Sequence, residues 1–206
     1  LIVLLGISSC SSDNNSTPAP ITKANISGSV NLYDEGTTQV DKSNMTVKLE
    51  ETTPSISATT DANGDFTLVD VPFGTYRVLY QKSGFGTFKK FNIEHQNNAT
   101  ALPNTPSLGE ISTTQITDLE ASISGNDIII SVTTNPAGSI GNTRYIRYFL
   151  STDSSVNNEN YTYFSPGLVS QVNPKAITLS NSDLLSAGFT TGQTVFIKAY
   201  GDSFWS

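Results

Sequence analysis

The chain has 206 residues, enough for one large domain or for two of about 100 residues each. Charged residues make up 14% and apolar residues 36%, and the chain is instead rich in Ser (27), Thr (26) and Asn (18). This composition is not typical of a helical bundle, and the many Ile, Val, Phe and Tyr residues argue against a disordered chain. A net charge of −7 with one His and one Cys excludes a basic nucleic-acid-binding surface and an intrachain disulfide.

The first ten residues have the features of a targeting segment. Residues 1–7 are apolar or small, and they are too few for the roughly 20 that span a bilayer, so they fit the apolar part of a secretory signal. Because neither Met nor a basic residue precedes them, we expect the start of the natural gene product to be missing. Residues 7–10, Ile-Ser-Ser-Cys, resemble the lipobox of bacterial lipoproteins. The alternative is an ordinary secretory signal with an incidental cysteine.

The lipobox resemblance implies that residues 1–9 are a partial signal peptide and that Cys10 becomes the lipid-bearing N-terminus. Each lipid methylene buried in a membrane contributes about 0.8 kcal/mol, so several acyl chains anchor firmly. Residues 10–20 are polar and contain prolines, which predicts a flexible tether of up to about 33 Å between membrane and first domain. We therefore expect a lipid-anchored protein of the cell envelope, in the outer membrane.

Alternating apolar and polar residues predict short strands throughout residues 21–98. Six or so strands at this spacing, without a helical pattern, favour a β-sandwich or barrel. The predicted strands cover residues 24–33, 45–51, 66–71, 75–82 and 87–94.

This stretch also resembles the carboxypeptidase regulatory-like domain, a transthyretin-like sandwich of seven strands. The resemblance rests on four motifs in order, which are Ile-Ser-Gly-Ser-Val at 26–30, Thr-Asp-Ala-Asn-Gly-Asp-Phe at 60–66, Val-Pro-Phe-Gly-Thr-Tyr at 71–76 and Lys-Ser-Gly-Phe at 82–85. The resemblance implies a binding or spacer role without peptidase activity, because in that family the domain is an appendage of catalytic units.

A second all-β region is predicted after a linker. Residues 99–108 contain two prolines and small polar residues and are interpreted as the linker, with a last strand over 108–111 as a possible end of the first domain. Residues 109–206 then carry strands over 117–124, 127–134, 145–150, 175–179 and 194–201, with a short helical turn at 182–188. The order resembles a fibronectin type III or other immunoglobulin-like domain whose last strand is cut off, with Trp205 as a core or edge residue. The predicted fold is all-β, with two tandem sandwiches.

Two groups of residues are candidates for metal binding or catalysis, and each has a structural alternative. Asp61, Asn63 and Asp65 offer oxygens to a calcium ion, but the spacing differs from that of an EF-hand, and a hairpin turn is the favoured interpretation. His95, the sole histidine, has no nucleophile nearby and is expected to face solvent in a loop. We therefore predict no catalytic residue, no metal site and no cofactor, and Cys10 as the site of lipid attachment.

Aromatic residues are the candidates for ligand binding. Phe85, Phe88 and Phe91 form one group, and residues 161–164 contribute Tyr161, Tyr163 and Phe164 to another. Exposed rings can stack on sugar faces, whereas strands normally bury aromatic side chains at every second position. We expect at least one of Phe88 and Phe91 in the core and the pair of tyrosines at the surface.

The sequence thus predicts a non-catalytic lipoprotein whose sandwiches serve in surface binding, adhesion or spacing. Its expected partners are the membrane, through the lipid, and a polysaccharide or protein ligand, with no nucleic acid. Two alternatives remain open at this point. One is a carbohydrate-binding accessory of a polysaccharide-uptake system, and the other is the non-catalytic N-terminal part of a larger surface enzyme.

Overall fold

The computed structural model describes residues 21–205, so the predicted signal, Cys10 and the tether lie outside the described residues. The first half of the described chain folds into nine strands: β1 (Lys23–Ser29), β2 (Asn31–Tyr33), β3 (Thr46–Leu49), β4 (Ser57–Thr59), β5 (Asp65–Pro72), β6 (Gly74–Gln81), β7 (Phe88–His95), β8 (Thr100–Ala101) and β9 (Ser107–Gly109). The second half contributes β10 (Gln115–Ser124), β11 (Asp127–Asn135), β12 (Arg144–Ser151), β13 (Tyr163–Phe164), β14 (Leu168–Ser170), β15 (Lys175–Leu179), the helix α1 (Asn181–Ser186) and β16 (Phe196–Asp202). The all-β prediction is confirmed.

The first sandwich packs a three-stranded sheet, in the order β5-β1-β8, against a four-stranded sheet, in the order β4-β3-β6-β7. Ile26 and Leu68 from the first sheet and Val47, Val78 and Tyr80 from the second are all fully buried in one core. These are the positions that the period-two pattern assigns to the inner faces, because side chains alternate across a strand.

Residues 99–108 were predicted to be a linker between the two domains, but they include strand residues that belong to the first sandwich. Their backbone pairs with the first sandwich, since β8 runs parallel to β1 and β9 runs parallel to β2. Leu108 is 6% exposed and belongs to the first core. The prolines that indicated a linker lie between these two short strands, where they do not interrupt the pairing.

His95 was expected in a solvent-facing loop, and this prediction is wrong. It ends β7, and its side chain is fully buried. One ring nitrogen lies 2.7 Å from the Thr100 hydroxyl and the other 3.2 Å from the Val71 carbonyl oxygen. In the neutral ring, Nε2–H donates to Val71 and Nδ1 accepts from Thr100. His95 thus connects β7 to β5 and β8.

The second sandwich packs the sheet β10-β11-β15 against a sheet centred on β12. On one side β12 pairs with β13 and then β14, and on the other side it pairs with β16. Ile130, Ile146 and Leu150 are almost completely buried between the two sheets. The predicted helical turn is α1, whose first turn is fixed by a capping box of Ser180 and Asp183.

Alternation along β10 places Leu119 and Ile123 on the same face, but this face is not buried along its full length. Leu119 of β10 packs on the second core, but Ile123, near the end of the same strand, is 82% exposed. The reason is that β10 is an edge strand bonded to β11, and its end borders an open cleft that reaches Val195 and Ile197 before and within β16.

The two sandwiches are joined by side-chain and backbone hydrogen bonds. The Glu35 carboxylate, after β2, accepts from the hydroxyls of Ser112 and Thr113 and lies 3.8 Å from the Arg144 guanidinium of β12. The backbone N–H of Phe204 donates to the Glu35 carbonyl at 2.9 Å, and that of Gly109 donates to the Trp205 carbonyl at 3.0 Å. The residues after β16 therefore pack against the first sandwich.

Candidate functional site

The outer face of the sheet around β12 carries aromatic side chains. Ile146, Tyr148 and Leu150 point into the core, so the residues between them, Arg147 and Phe149, point outward. Residues directly opposite each other on neighbouring strands lie on the same face of the sheet, so the partners of Arg147 and Phe149 also belong to the outer face. Phe164 of β13 lies opposite Phe149, and Lys198 and Tyr200 of β16 lie opposite Phe149 and Arg147.

Four rings form a contiguous cluster, which we call the aromatic face: Phe149, Tyr161, Phe164 and Tyr200. The Phe149 ring lies at its centre, with centroids 5.2 Å from Tyr161, 6.2 Å from Phe164 and 5.7 Å from Tyr200. Tyr161 and Phe164 meet edge to face at 5.3 Å and are 41% and 45% exposed. Phe149 itself is 7% exposed, so it supports the outer rings from below.

The loop before β13 positions Tyr161. Asn157 accepts from the backbone N–H groups of Glu159 and Asn160, and the Asn160 amide donates to the Ser155 hydroxyl at 2.8 Å. The Ser155 N–H in turn donates to the Asp153 carboxylate. This hydrogen bond, together with one from the Ser155 side chain, holds the pKa of the Asp153 carboxyl below its usual value. Such Asx turns fix the backbone of a polar loop, and so the aromatic ring that follows it has a defined position.

A second group of rings, the interface cluster, continues from this sheet to the first sandwich. Its members are Tyr33, Tyr145, Phe204 and Trp205. Phe204 packs edge to face on Tyr145 at 5.8 Å and on Trp205 at 5.1 Å, and Trp205 stacks on Tyr33 at 4.9 Å. Trp205 is 37% exposed and lies in a turn after β16, so it is neither the core residue nor the strand residue that the sequence predicted.

Charged groups separate the two clusters. The Arg147 guanidinium donates to the Asp202 carboxylate at 2.8 Å and also lies over the Phe164 ring, 5.5 Å from its centroid. This pair is internally neutralised, and Lys198, which lies beside Phe149 on the neighbouring strand, is the further charged residue at these sheet positions. Charged side chains therefore lie between the rings on this face of the sheet.

The three predicted aromatic residues of the segment 161–164 differ in their exposure. Tyr161 and Phe164 are exposed as a sugar platform requires, whereas Tyr163 turns inward, where it packs on the second core beside Tyr148. Phe149 and Tyr200 were not predicted as members of the site. The available signal was Tyr148-Phe149-Leu150 in β12, three consecutive aromatic or apolar residues, which indicate a stretch of strand with both faces covered.

The other predicted group does not form a platform. Phe85 and Phe88 pack on the first core, and Phe91 is 57% exposed on the same sandwich. The expectation that at least one of Phe88 and Phe91 contributes to the core is confirmed. Phe91 is a single exposed ring.

The residues considered for calcium form a hairpin turn. One Asp61 carboxylate oxygen accepts from the N–H groups of Asn63 and Asp65, at 2.8 and 3.0 Å. Gly64 adopts φ +84°, and a Cβ there would lie 2.2 Å from the Val30 carbonyl oxygen, so the turn requires glycine. The turn interpretation is confirmed. Among residues 21–205, no three His, Cys, Asp or Glu side chains cluster as metal ligands.

No helix within the described part of the chain has the length and apolar character needed to cross a membrane.

Comparison with protein families gives a match to part of the chain. Residues 25–103, in the first sandwich, match the model of the carboxypeptidase regulatory-like domain, as the sequence motifs indicated. No curated protein gives a significant match.

Several solved structures resemble the chain. A chain of a type II cohesin–X–dockerin complex from Acetivibrio cellulolyticus is 26% identical, with 42% of this chain covered and a TM-score of 0.35. The present chain spans 58% of that chain's length. A "putative carbohydrate binding protein" from Bacteroides uniformis is 16% identical, with 82% of this chain and 83% of that chain covered and a TM-score of 0.32. A DUF3823 family protein from Parabacteroides merdae is 14% identical, with 88% of this chain and 92% of that chain covered and a TM-score of 0.29.

Proposed function

We propose that this protein is a non-catalytic binding module of the bacterial cell envelope, anchored through lipid on Cys10. The observation that carries the binding role is the aromatic face, because an exposed cluster of rings on a rigid sheet is typical of a surface that recognises a ligand. The buried position of His95, with both ring nitrogens engaged, supports a structural role for the residue most suited to acid–base chemistry.

The anchor is tested by radiolabelled palmitate in bacteria that produce the natural full-length protein. We expect label in the wild-type protein, loss of label in Cys10→Ser and full label in the matched control Ser12→Ala. A mature chain that begins beyond Cys10 and carries no lipid would contradict the anchor and leave the binding role to be judged separately.

A carbohydrate ligand is the second candidate, and the exposure of Tyr161 and Phe164 favours it over a purely spacing role. Flat rings pack against the C–H faces of sugars, while nearby polar groups bind the hydroxyls. Mobility in native gels containing laminarin, xyloglucan, arabinoxylan or mannan tests this function. Retardation by at least one of them is expected, and unchanged mobility in all four would contradict it.

A further inference from the structure

The aromatic face and the interface cluster lie on one continuous surface. Tyr145 and Phe149 both point outward from β12. They are four positions apart in the strand, which corresponds to about 13 Å. From Tyr145 the ring contacts continue through Phe204 and Trp205 to Tyr33 on the first sandwich. The row of rings therefore begins on the second sandwich and ends on the first.

This row is accessible at both ends. Tyr161 and Phe164 are 41% and 45% exposed at one end, and Phe204 and Trp205 are 49% and 37% exposed at the other. Trp205 also borders an open cleft of about 430 Å³ between the sandwiches, lined on the side of the first by Phe88 and Leu108. A ligand that follows the rings thus meets open space beyond Trp205.

Hydrogen-bonding groups occupy the middle of the row rather than its rim. The Arg147–Asp202 pair lies between the two clusters, with side chains 23% and 10% exposed. Protein interfaces concentrate apolar anchors at the centre and polar groups at the edge. Each sugar unit carries an apolar C–H face together with hydroxyls, so one chain can place sugar faces on both clusters of rings and hydroxyls on the Arg147–Asp202 pair between them.

We propose that the two clusters form one track for a single extended, uncharged polysaccharide chain that contacts both sandwiches. The inference rests on the carbohydrate-binding candidate above and adds the class and length of ligand. The Ser112 hydroxyl donates to the Glu35 carboxylate and the Phe204 N–H donates to the Glu35 carbonyl, and these hydrogen bonds hold the two halves of the track together. An uncharged ligand is favoured because the Arg147–Asp202 pair in the middle of the track is internally neutralised and Lys198 is the further charge at these sheet positions, so binding is expected to depend only weakly on salt.

The test uses the whole chain and whichever of the four polysaccharides retards it, together with short oligosaccharide fractions of the same polymer. Tyr161→Ala alters one end of the track and Phe204→Ala the other. Phe91→Ala removes an exposed ring outside the track and is the matched control. Circular dichroism and urea unfolding establish that each variant is folded.

We expect each end variant to weaken binding of the long chain about tenfold and the control to leave it unchanged. Short fractions are expected to bind more weakly and to respond to one end variant only. Wild-type affinity in Phe204→Ala, with loss in Tyr161→Ala, would overturn the track while leaving carbohydrate binding intact. A steep loss of affinity on raising the salt concentration would overturn the uncharged class, and no retardation by any of the four polysaccharides would remove the underlying function itself.

Discussion

Trp205 stacks on Tyr33, with ring centroids 4.9 Å apart and planes inclined by 27°. This contact joins the end of the second sandwich to β2 of the first. Aromatic pairs contribute about 0.5–1.5 kcal/mol beyond the area they bury. Together with the hydrogen bonds around Glu35, the pair ties together two sandwiches that have separate cores.

Tyr33→Ala is expected to shift the tryptophan emission to longer wavelength. Trp205 is the sole tryptophan of the chain, so its fluorescence reports on this junction alone. Removal of the stacked ring increases its contact with water. The control Phe91→Ala, which removes an exposed ring of β7, is expected to leave the spectrum unchanged. An identical spectrum for Tyr33→Ala would show that the two rings are not stacked in solution.

His95→Ala is expected to lower the free energy of unfolding by about 2–4 kcal/mol. The change leaves a cavity beside β7 and removes the hydrogen bond to the Val71 carbonyl group. Urea unfolding measures the loss, and the exposed neighbour Gln96→Ala should change stability by no more than about 0.5 kcal/mol. Equal stability of the two variants would mean that His95 is solvent-facing after all.

Tyr80→Phe is expected to raise the free energy of unfolding by about 1 kcal/mol. Tyr80 is fully buried, and its hydroxyl has no hydrogen-bond partner among the described residues. Phenylalanine retains the edge-to-face contacts with Phe66 and Phe88. Tyr76→Phe is the matched control, because its hydroxyl donates to the Pro72 carbonyl at 2.8 Å, and it should lower stability slightly. A clear loss of stability in Tyr80→Phe would reveal a partner for the buried hydroxyl.

Stability should fall between about pH 10 and pH 12. Burial, with Tyr163 nearby, raises the pKa of Tyr148 to about 12 from its ordinary value of 10.0. The unfolded chain therefore releases this proton at lower pH than the folded protein, and so rising pH favours unfolding across that window. Thermal unfolding of the wild type should show this slope, and Tyr148→Phe should reduce it. The same slope in both proteins would contradict a raised pKa at Tyr148.

The strands were predictable because period-two alternation is a local property, and β3 and the first half of β5 follow it closely. The burial of His95 was not predictable, since it depends on β8, which packs on β1 from a stretch that its prolines marked as a linker. The candidate site was found in part. Tyr161 and Phe164 are near each other in sequence, whereas Tyr200 reaches them only through the register between β12 and β16.

Ligand binding on the aromatic face of the second sandwich can be measured by isothermal titration of the retarding polysaccharide into the wild type, Phe164→Ala and the control Phe91→Ala. We expect equal affinities for wild type and control and an affinity about tenfold lower for Phe164→Ala, whose ring is 45% exposed. Equal affinities for all three proteins, each shown to be folded, would contradict it.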